Sequence, residues 1–209
     1  MFMFSEIIVI ILYAFFTEFE TGEGLHPGAS QMQGKRIVEG IERQKMGQDA
    51  KVQIYYPIFQ DVHIMTFVGF GFIKVYLKKN SWTSIGYSFM IGAWAFQISI
   101  LAVGFWRAIL LDDGLNSVKL DMSALIVGDF GAASVLICYG ALLGKCTLPQ
   151  LWIVATLQVF FYALNEAVVG GLMEVVDIGG CVTVHMFGAY FGVAASYFFE
   201  PRAAKRDRE

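Results

Sequence analysis

Five long apolar stretches dominate the sequence. Each is close to the ~20 residues that a helix needs to cross a lipid bilayer. They cover residues 58–77, 84–105, 123–143, 147–164 and 177–199. Lipid offers a backbone no hydrogen-bond partners, so such segments fold as helices that satisfy their own amide groups. The composition agrees, because 56% of the residues are hydrophobic and 16% are charged, whereas soluble domains average about 45–50% and about 25%. The sequence therefore predicts an all-α, polytopic transmembrane helical bundle.

The remaining segments define the domain organisation and the orientation. In order they predict a short first hydrophobic helix, a polar solvated segment, the transmembrane domain and a basic tail: residues 1–16, 17–56, 57–199 and 200–209. If the spans alternate in direction, Lys78, Lys79, Lys145 and the tail fall on one side of the membrane. Basic residues are densest in cytoplasmic loops. We therefore expect a cytoplasmic tail and an extracellular polar segment.

Three helix starts are predicted by residue type. Thr83 or Ser84 suits the N-cap of the second span, Thr147 with Pro149 close behind suits that of the fourth, and Asp177 suits that of the fifth. Side-chain oxygens at these positions accept hydrogen bonds from the free N–H groups of a first turn. A fifth helix that starts at Asp177 would place His185 about 12 Å below it.

His185 is the most informative residue of the fifth stretch, which contains no Asp, Glu, Lys or Arg after Asp177. A titratable group inside a span marks a functional site by default. Gly188 and Gly192 form a small-xxx-small pattern for helix contact, which predicts that His185 points into protein or a pore. Its ring suits a small neutral solute or a proton relay. The competing interpretation is a buried histidine that a neighbouring helix satisfies.

Other polar residues in or near the spans have more than one interpretation. Asp177 is either a helix cap or a functional acid, and Asp129 either pairs with buried polar groups or belongs to a polar path. Glu166 either attracts cations at a pore mouth or is a solvated helix end. His63 is predicted to be an interfacial histidine linked to Asp61.

Several function classes find no support in the sequence. The net charge of −3 gives no reason to expect nucleic acid, and no phosphate-binding loop, Gly-x-Ser-x-Gly motif or metal-spaced His/Cys cluster occurs. The three cysteines give no disulfide framework. A membrane haem protein would need paired axial ligands, and only His63 and His185 are available, on different helices. We expect no cofactor, no metal and no enzymatic activity.

Several motifs occur in register along the chain. They are Tyr56-Pro57-x-Phe59-Gln60-Asp61-Val62-His63-x-Met65-x-Phe67-Val68-Gly69-Phe70-Gly71-Phe72, Asp129-Phe130-x-x-Ala133-Ser134, Gly140-Ala141-x-Leu143-Gly144-Lys145, Asn165-Glu166 and Asp177-x-Gly179-Gly180-x-x-Thr183-x-His185-x-Phe187-Gly188-Ala189-Tyr190-Phe191-Gly192. Together they closely resemble the Rhesus (Rh) glycoproteins, the animal branch of the ammonium transporter superfamily. The resemblance covers residues 56 to about 198, and the first hydrophobic segment loosely.

The resemblance implies a channel-like carrier of ammonium or ammonia in the plasma membrane, usually a homotrimer with one pore per subunit. In such carriers ammonium is recruited at an acidic mouth and loses a proton, and neutral ammonia passes paired histidines; whether carbon dioxide also passes varies among members. By motif, His185 matches the first pore histidine and Phe130 the outer gate. Asp177 matches an acid needed for structure and conduction, and Glu166 a vestibule acid.

The family is built from two inverted five-span repeats, and this sequence resembles the first half: one five-helix repeat plus a short N-terminal helix. A second pore histidine and a second gate phenylalanine are expected to be missing from it. Inverted repeats place their site at the repeat interface, so we expect one repeat to leave His185 uncovered. Two hypotheses remain. The chain is part of an ammonium transporter, or it is a non-conducting fragment or isoform that acts as a membrane partner subunit of full-length relatives.

Overall fold

The computed structural model describes residues 2–19, 48–111 and 118–199. Five helical segments in these ranges are long and apolar enough to cross a membrane: Val52–Tyr76, Ser81–Leu110, Met122–Leu142, Leu148–Leu172 and Cys181–Phe198. We call them the first to fifth spans. They confirm the predicted all-α, multi-pass membrane fold.

Six α-helices build the described part of the chain. They are α1 (Phe2–Phe16), α2 (Gln48–Ile64), α3 (Ser81–Leu110), α4 (Met122–Leu142), α5 (Leu148–Glu166) and α6 (Phe187–Phe198). A 3₁₀ turn (Ile73–Tyr76) ends the first span. Two three-residue strands, β1 (Thr17–Phe19) and β2 (Val118–Leu120), pair in parallel, with Thr17 opposite Val118. This pair joins the end of α1 to the segment before α4.

Helix α1 lies on the outside of the bundle. Met3, Phe4 and most of its other large side chains are exposed, while the Tyr13 hydroxyl donates to the Gln97 carbonyl of α3 at 2.8 Å. Most of the predicted polar segment and the whole basic tail lie outside the described residues. Since α2 begins at Gln48, helical structure starts before residue 57, where the sequence predicts the transmembrane domain to begin.

The second span begins earlier than predicted, at Ser81 instead of Ser84. Asn80 precedes it in the left-handed conformation, with φ of 57°, and asparagine tolerates that region better than most residues. The Asn80 carbonyl then accepts from the Ser84 N–H at 3.0 Å. The start of the fourth span agrees with the prediction, because the Thr147 N–H donates to Gln150 Oε1 at 2.9 Å and Pro149 lies in the first turn.

Helix α4 is the centre of the bundle. It packs against α2, α3, α5 and α6, and 72% of its apolar window is buried, compared with 17–44% for the other spans. Close contacts at small residues hold the fifth span against it. A Cβ on Gly188 would lie 2.7 Å from the Ser134 carbonyl oxygen, and one on Gly192 would lie 3.0 Å from the Cα of Cys138. The predicted contact through Gly188 and Gly192 is confirmed.

Three π-helical segments, which the sequence analysis did not predict, interrupt the spans. They are Met65–Phe70 in the first span, Ala167–Leu172 in the fourth and Cys181–Met186 in the fifth. π-Helical turns are rare and occur frequently at functional sites. Two of these segments adjoin residues that the sequence analysis selects, since one follows Glu166 and another contains His185.

Candidate functional site

A cavity of about 70 Å³ opens at the end of the bundle where the fourth span ends and the fifth begins. Its wall includes Phe130 of α4, Tyr162 and Glu166 of α5, and Asp177 and Thr183 on either side of the last loop. One water molecule needs roughly 10–15 Å³ of such space, so the cavity has room for a small hydrated solute. Three of the four predicted site residues therefore meet in one place; His185 is not among the lining residues.

Asp177 forms the cap of the fifth span. Its carboxylate accepts from the backbone N–H of Val182 at 3.0 Å, from that of Thr183 at 2.8 Å and from the Thr183 hydroxyl at 2.8 Å. Burial alone would raise the pKa of Asp177, but the hydrogen bonds from Thr183 and Val182 outweigh it and hold this pKa below its ordinary value. The acid is therefore ionised and locked in the cavity wall at neutral pH, as a helix cap requires.

The fifth helix starts four residues after Asp177, which corrects the predicted depth of His185. Gly179 and Gly180 both have positive φ, at 80° and 66°. Glycine adopts this conformation readily because it has no Cβ. The chain therefore stays in a loop until Cys181. His185 is the fifth residue of that helix, so the continuous helix from Asp177 on which the predicted depth of about 12 Å depended is not present.

Glu166 is buried and is paired with Arg107 at the end of α3, a residue that the sequence analysis did not select. Arg107 Nη2 donates to Glu166 Oε1 at 2.6 Å, and 21% of the Arg107 side chain and 6% of the Glu166 side chain are accessible. The second oxygen, Oε2, is buried without a hydrogen-bond partner in the described parts of the chain. Glu166 is thus not a solvated helix end, and one of its two carboxylate oxygens has no donor among the described residues.

Phe130 lies above an apolar floor. Its half-buried ring packs on a cluster that contains Tyr162 and Val184, and Phe70 packs on the same cluster from the first span. Tyr162 itself is almost completely buried. An aromatic ring between a charged recess and an apolar interior is suitable for a gate. Its role as the outer gate stays a prediction.

His185 lies on an exposed face of the fifth span within the described bundle. Its Nδ1 is 3.0 Å from the Gly180 carbonyl oxygen, which can only accept, so Nδ1 carries the proton and Nε2 of the neutral ring is an acceptor. The Phe70 ring centroid is 6.4 Å from that of His185. The side chain is therefore oriented by its own backbone, and the described residues leave it uncovered.

The partner of His63 is Asp129 and not Asp61, which corrects the sequence interpretation. His63 Nδ1 lies 2.9 Å and 3.1 Å from the two carboxylate oxygens of Asp129, and Asp129 is completely buried. The ring of His63 lies between those of Phe59 and Phe67. A buried carboxylate needs a partner, so Asp129 gave a signal that some base must lie near it. The sequence did not show which one.

Besides the pairing of His63 with Asp129, the sequence analysis missed Arg107. The signal was available in the same form, because a glutamate at the end of an apolar helix must find a cation if it is buried. Among the residues that the structure describes, no group of three His, Cys, Asp or Glu side chains is placed to hold a metal ion. The site is therefore a recess with two acids, one base and aromatic walls.

Fold and site together define a polytopic helical membrane protein with a charged recess at one end of its bundle. The family follows from comparison with known proteins: a sequence model of the Ammonium Transporter Family matches residues 39–209. The chain belongs to the ammonium transporter family, and the predicted resemblance is confirmed.

Named relatives agree with this family. The chain is 42% identical to the ammonium transporter Rh type B of Bos taurus over 75% of its own length and 34% of the relative. It is 33% identical to the ammonium transporter Rh type C of Gasterosteus aculeatus over 97% of its length and 40% of the relative. It is also 33% identical to the ammonium transporter Rh type A of Canis lupus familiaris, over 91% of its own length and 42% of the relative. The chain thus spans about two-fifths or less of the length of these relatives.

Proposed function

We propose that this chain provides one wall of a path that carries ammonium or ammonia across the plasma membrane. The observation that carries the proposal is the cavity, where Glu166, Asp177 and Phe130 meet at one end of the bundle. The relatives named above are ammonium transporters, and the chemistry of the cavity suits a small cation at its entrance.

Recruitment is assigned to Glu166. Its Oε2 has no hydrogen-bond partner among the described residues and is buried, so an ammonium N–H can donate to it with a charge-assisted bond. Asp177 adds a second fixed negative charge, and its own hydrogen bonds to the helix start keep it in place. Two acids and the single base Arg107 give the recess a net charge of −1, which favours a monovalent cation.

Passage beyond Phe130 requires a neutral solute. The cluster below its ring is apolar, and a charge costs several kcal/mol or more in such surroundings. Ammonium therefore transfers a proton to water in the recess and continues as ammonia. Nε2 of His185 is oriented as an acceptor and can receive an N–H of ammonia as it passes. Carbon dioxide is also small and neutral enough for the same path. The assembly that we propose is a homotrimer in which each subunit has one complete pore.

The test is methylammonium uptake in cells that lack their own ammonium carriers. The chain, its His185→Ala variant and the empty membrane are compared, with surface expression measured in parallel. We expect uptake above background for the chain and a large fall for the variant. His185→Gln, which keeps a hydrogen-bonding group of similar reach, serves as the matched variant and should retain part of the uptake. Equal uptake in all three membranes, at equal insertion, would reject the proposal.

A second candidate function is a non-conducting partner subunit. The observation in its favour is the uncovered face of the fifth span, where Tyr190, Val193 and Tyr197 are exposed together with His185. For this candidate, the chain inserts and carries no methylammonium by itself, but changes uptake when expressed with a full-length relative. Co-purification of the two proteins measures the association directly.

A further inference from the structure

One oxygen of the Glu166 carboxylate is paired with a protein cation, and the other has no partner among the described residues. Oε1 accepts from Arg107 Nη2 at 2.6 Å, while Oε2 is buried, has no partner in the described ranges and belongs to a side chain that lines the cavity. The two chemically equivalent oxygens of this acid thus differ in whether they accept a hydrogen bond. The difference is produced by Arg107 alone, because no other basic side chain in the described parts forms an ion pair with either acid of the recess.

The position of Arg107 is fixed from both directions. It lies in the last turn of α3, where a cation interacts favourably with the helix dipole. Leu111, one helical turn after Arg107, lies against Gly171 of the π-helix that follows Glu166. A Cβ on Gly171 would be 2.6 Å from the Leu111 Cδ1. The end of α3 and the end of α5 are therefore packed together, which keeps the backbone of Arg107 close to Glu166.

A guanidinium and an ammonium ion make the same kind of contact with a carboxylate. Both are monovalent cations that donate N–H groups to oxygen. Resting on the function proposed above, we propose that Arg107 is a tethered competitor for cations at Glu166: it occupies one carboxylate oxygen permanently, leaves the other for a single ammonium-type ion, and so sets the affinity of the recess. Arg107 is a specificity-determining residue in this account and touches the acid that receives the substrate.

The physical effect is a weaker site that releases its ion. Without Arg107 the recess would hold two negative charges and both oxygens of Glu166 would be open, so a cation would bind more tightly. A conducting site must bind well enough to admit its ion and weakly enough to let it leave. Arg107 therefore favours turnover over retention.

The test is the binding of methylammonium to the purified, detergent-solubilised chain, measured by titration calorimetry. We expect Arg107→Ala to bind methylammonium with a Kd about tenfold lower than the unchanged chain, which is ~1.4 kcal/mol. Arg107→Gln, which keeps more of the volume, should show the same direction. Arg107→Lys keeps the charge and should stay within about threefold, on the same scale. Lys145→Ala is the matched control, because Lys145 lies at the opposite end of the bundle and contacts Ser196.

Free guanidinium provides a sharper readout. In Arg107→Ala it can enter the place of the missing side chain, so it should compete with methylammonium there and much less in the unchanged chain. An affinity that is equal or weaker in both folded neutral variants, or guanidinium competition that is the same with and without Arg107, would overturn the proposal. So would the absence of methylammonium binding in every variant.

The result can be separated from that of the proposed function. Uptake that depends on His185, combined with unchanged affinity in the Arg107 variants, rejects the competitor and keeps the transport. Tighter binding and guanidinium competition in Arg107→Ala, combined with no uptake by any form, keep the competitor and reject transport by this chain.

Discussion

At the scale of single residues, the acids of the recess differ in how completely protein groups satisfy them. Asp177 accepts from Val182 and twice from Thr183, whereas Glu166 keeps one oxygen without a partner in the described ranges. A satisfied carboxylate stabilises structure, and an unsatisfied one in a cavity attracts a ligand. The two acids therefore differ: Asp177 is a helix cap, and Glu166 keeps one oxygen that no described residue satisfies.

Replacement of Asp177 tests its part in this division. We expect Asp177→Asn, which keeps a capping oxygen but removes the charge at the helix start, to lower the free energy of unfolding at pH 7 by about 0.3–1 kcal/mol. Because folding lowers the pKa of Asp177 below its ordinary 3.8, its contribution is complete above that value and is lost as the pH falls through the folded-state pKa. Thermal unfolding in detergent between pH 2 and pH 7 measures both effects.

Asp61→Asn is the control for this prediction, since Asp61 is an exposed carboxylate on the first span. It should leave stability at pH 7 unchanged. If Asp61→Asn and Asp177→Asn destabilise the chain equally, the capping account of Asp177 is wrong.

At the scale of the elements, a hydrogen-bonded histidine–aspartate pair joins the first span to the central helix. His63 of α2 holds Asp129 of α4, and Asp129 is the residue directly before Phe130. The contact therefore fixes α2 against the part of α4 that carries the wall of the recess. Phe70, seven residues after His63, reaches the neighbourhood of His185 from the same span.

The pair should behave as a unit when it is replaced. His63→Leu leaves the buried Asp129 carboxylate without its partner and should lower the free energy of unfolding by roughly 1–3 kcal/mol. Asp129→Leu should cost less, because the His63 ring is partly accessible and can find water or headgroups. The double variant should be more stable than His63→Leu alone. Unfolding in mixed micelles compares the three proteins, and strictly additive effects would show that the two side chains do not interact.

At the scale of the whole molecule, the native cysteines report orientation. Cys181 is exposed at the start of the fifth span, Cys146 is half-buried in the connection before the fourth, and Cys138 is buried. If the tail is cytoplasmic, a membrane-impermeant thiol reagent applied to intact cells should label Cys181 and leave Cys146 unlabelled. Cys181→Ser and Cys146→Ser assign the signal to one residue.

Inside-out vesicles extend this prediction. There Cys146 becomes reachable, but burial raises the pKa of its thiol, although Lys145 nearby lowers it in part. Since the thiolate is the reactive form, labelling of Cys146 should stay slow at neutral pH and increase as the pH rises above its ordinary pKa of 9.0. Labelling of Cys146 from outside intact cells would reverse the predicted orientation.

The spans and the cap at Thr147 could be predicted because each depends on a short stretch of neighbouring residues. The two long-range side-chain pairs could not be predicted. Arg107 and Glu166 are 59 residues apart in the sequence, and His63 and Asp129 are 66 apart. A single sequence shows that a buried acid needs a base and not which base is within reach. The depth of His185 was wrong for a local reason, because Gly179 and Gly180 adopt left-handed conformations where a continuous helix was expected.

The π-helical segment Cys181–Met186 has a consequence for the phase of the fifth span. In a regular α-helix, residues three apart share a face, so His185 and Gly188 would point in nearly the same direction. Here His185 is exposed while Gly188 is buried against Ser134. The widened turn acts as an inserted residue that the helix absorbs without ending. Deleting one residue from it would rotate everything downstream by about 100° and change the angle between the histidine face and the glycine seam.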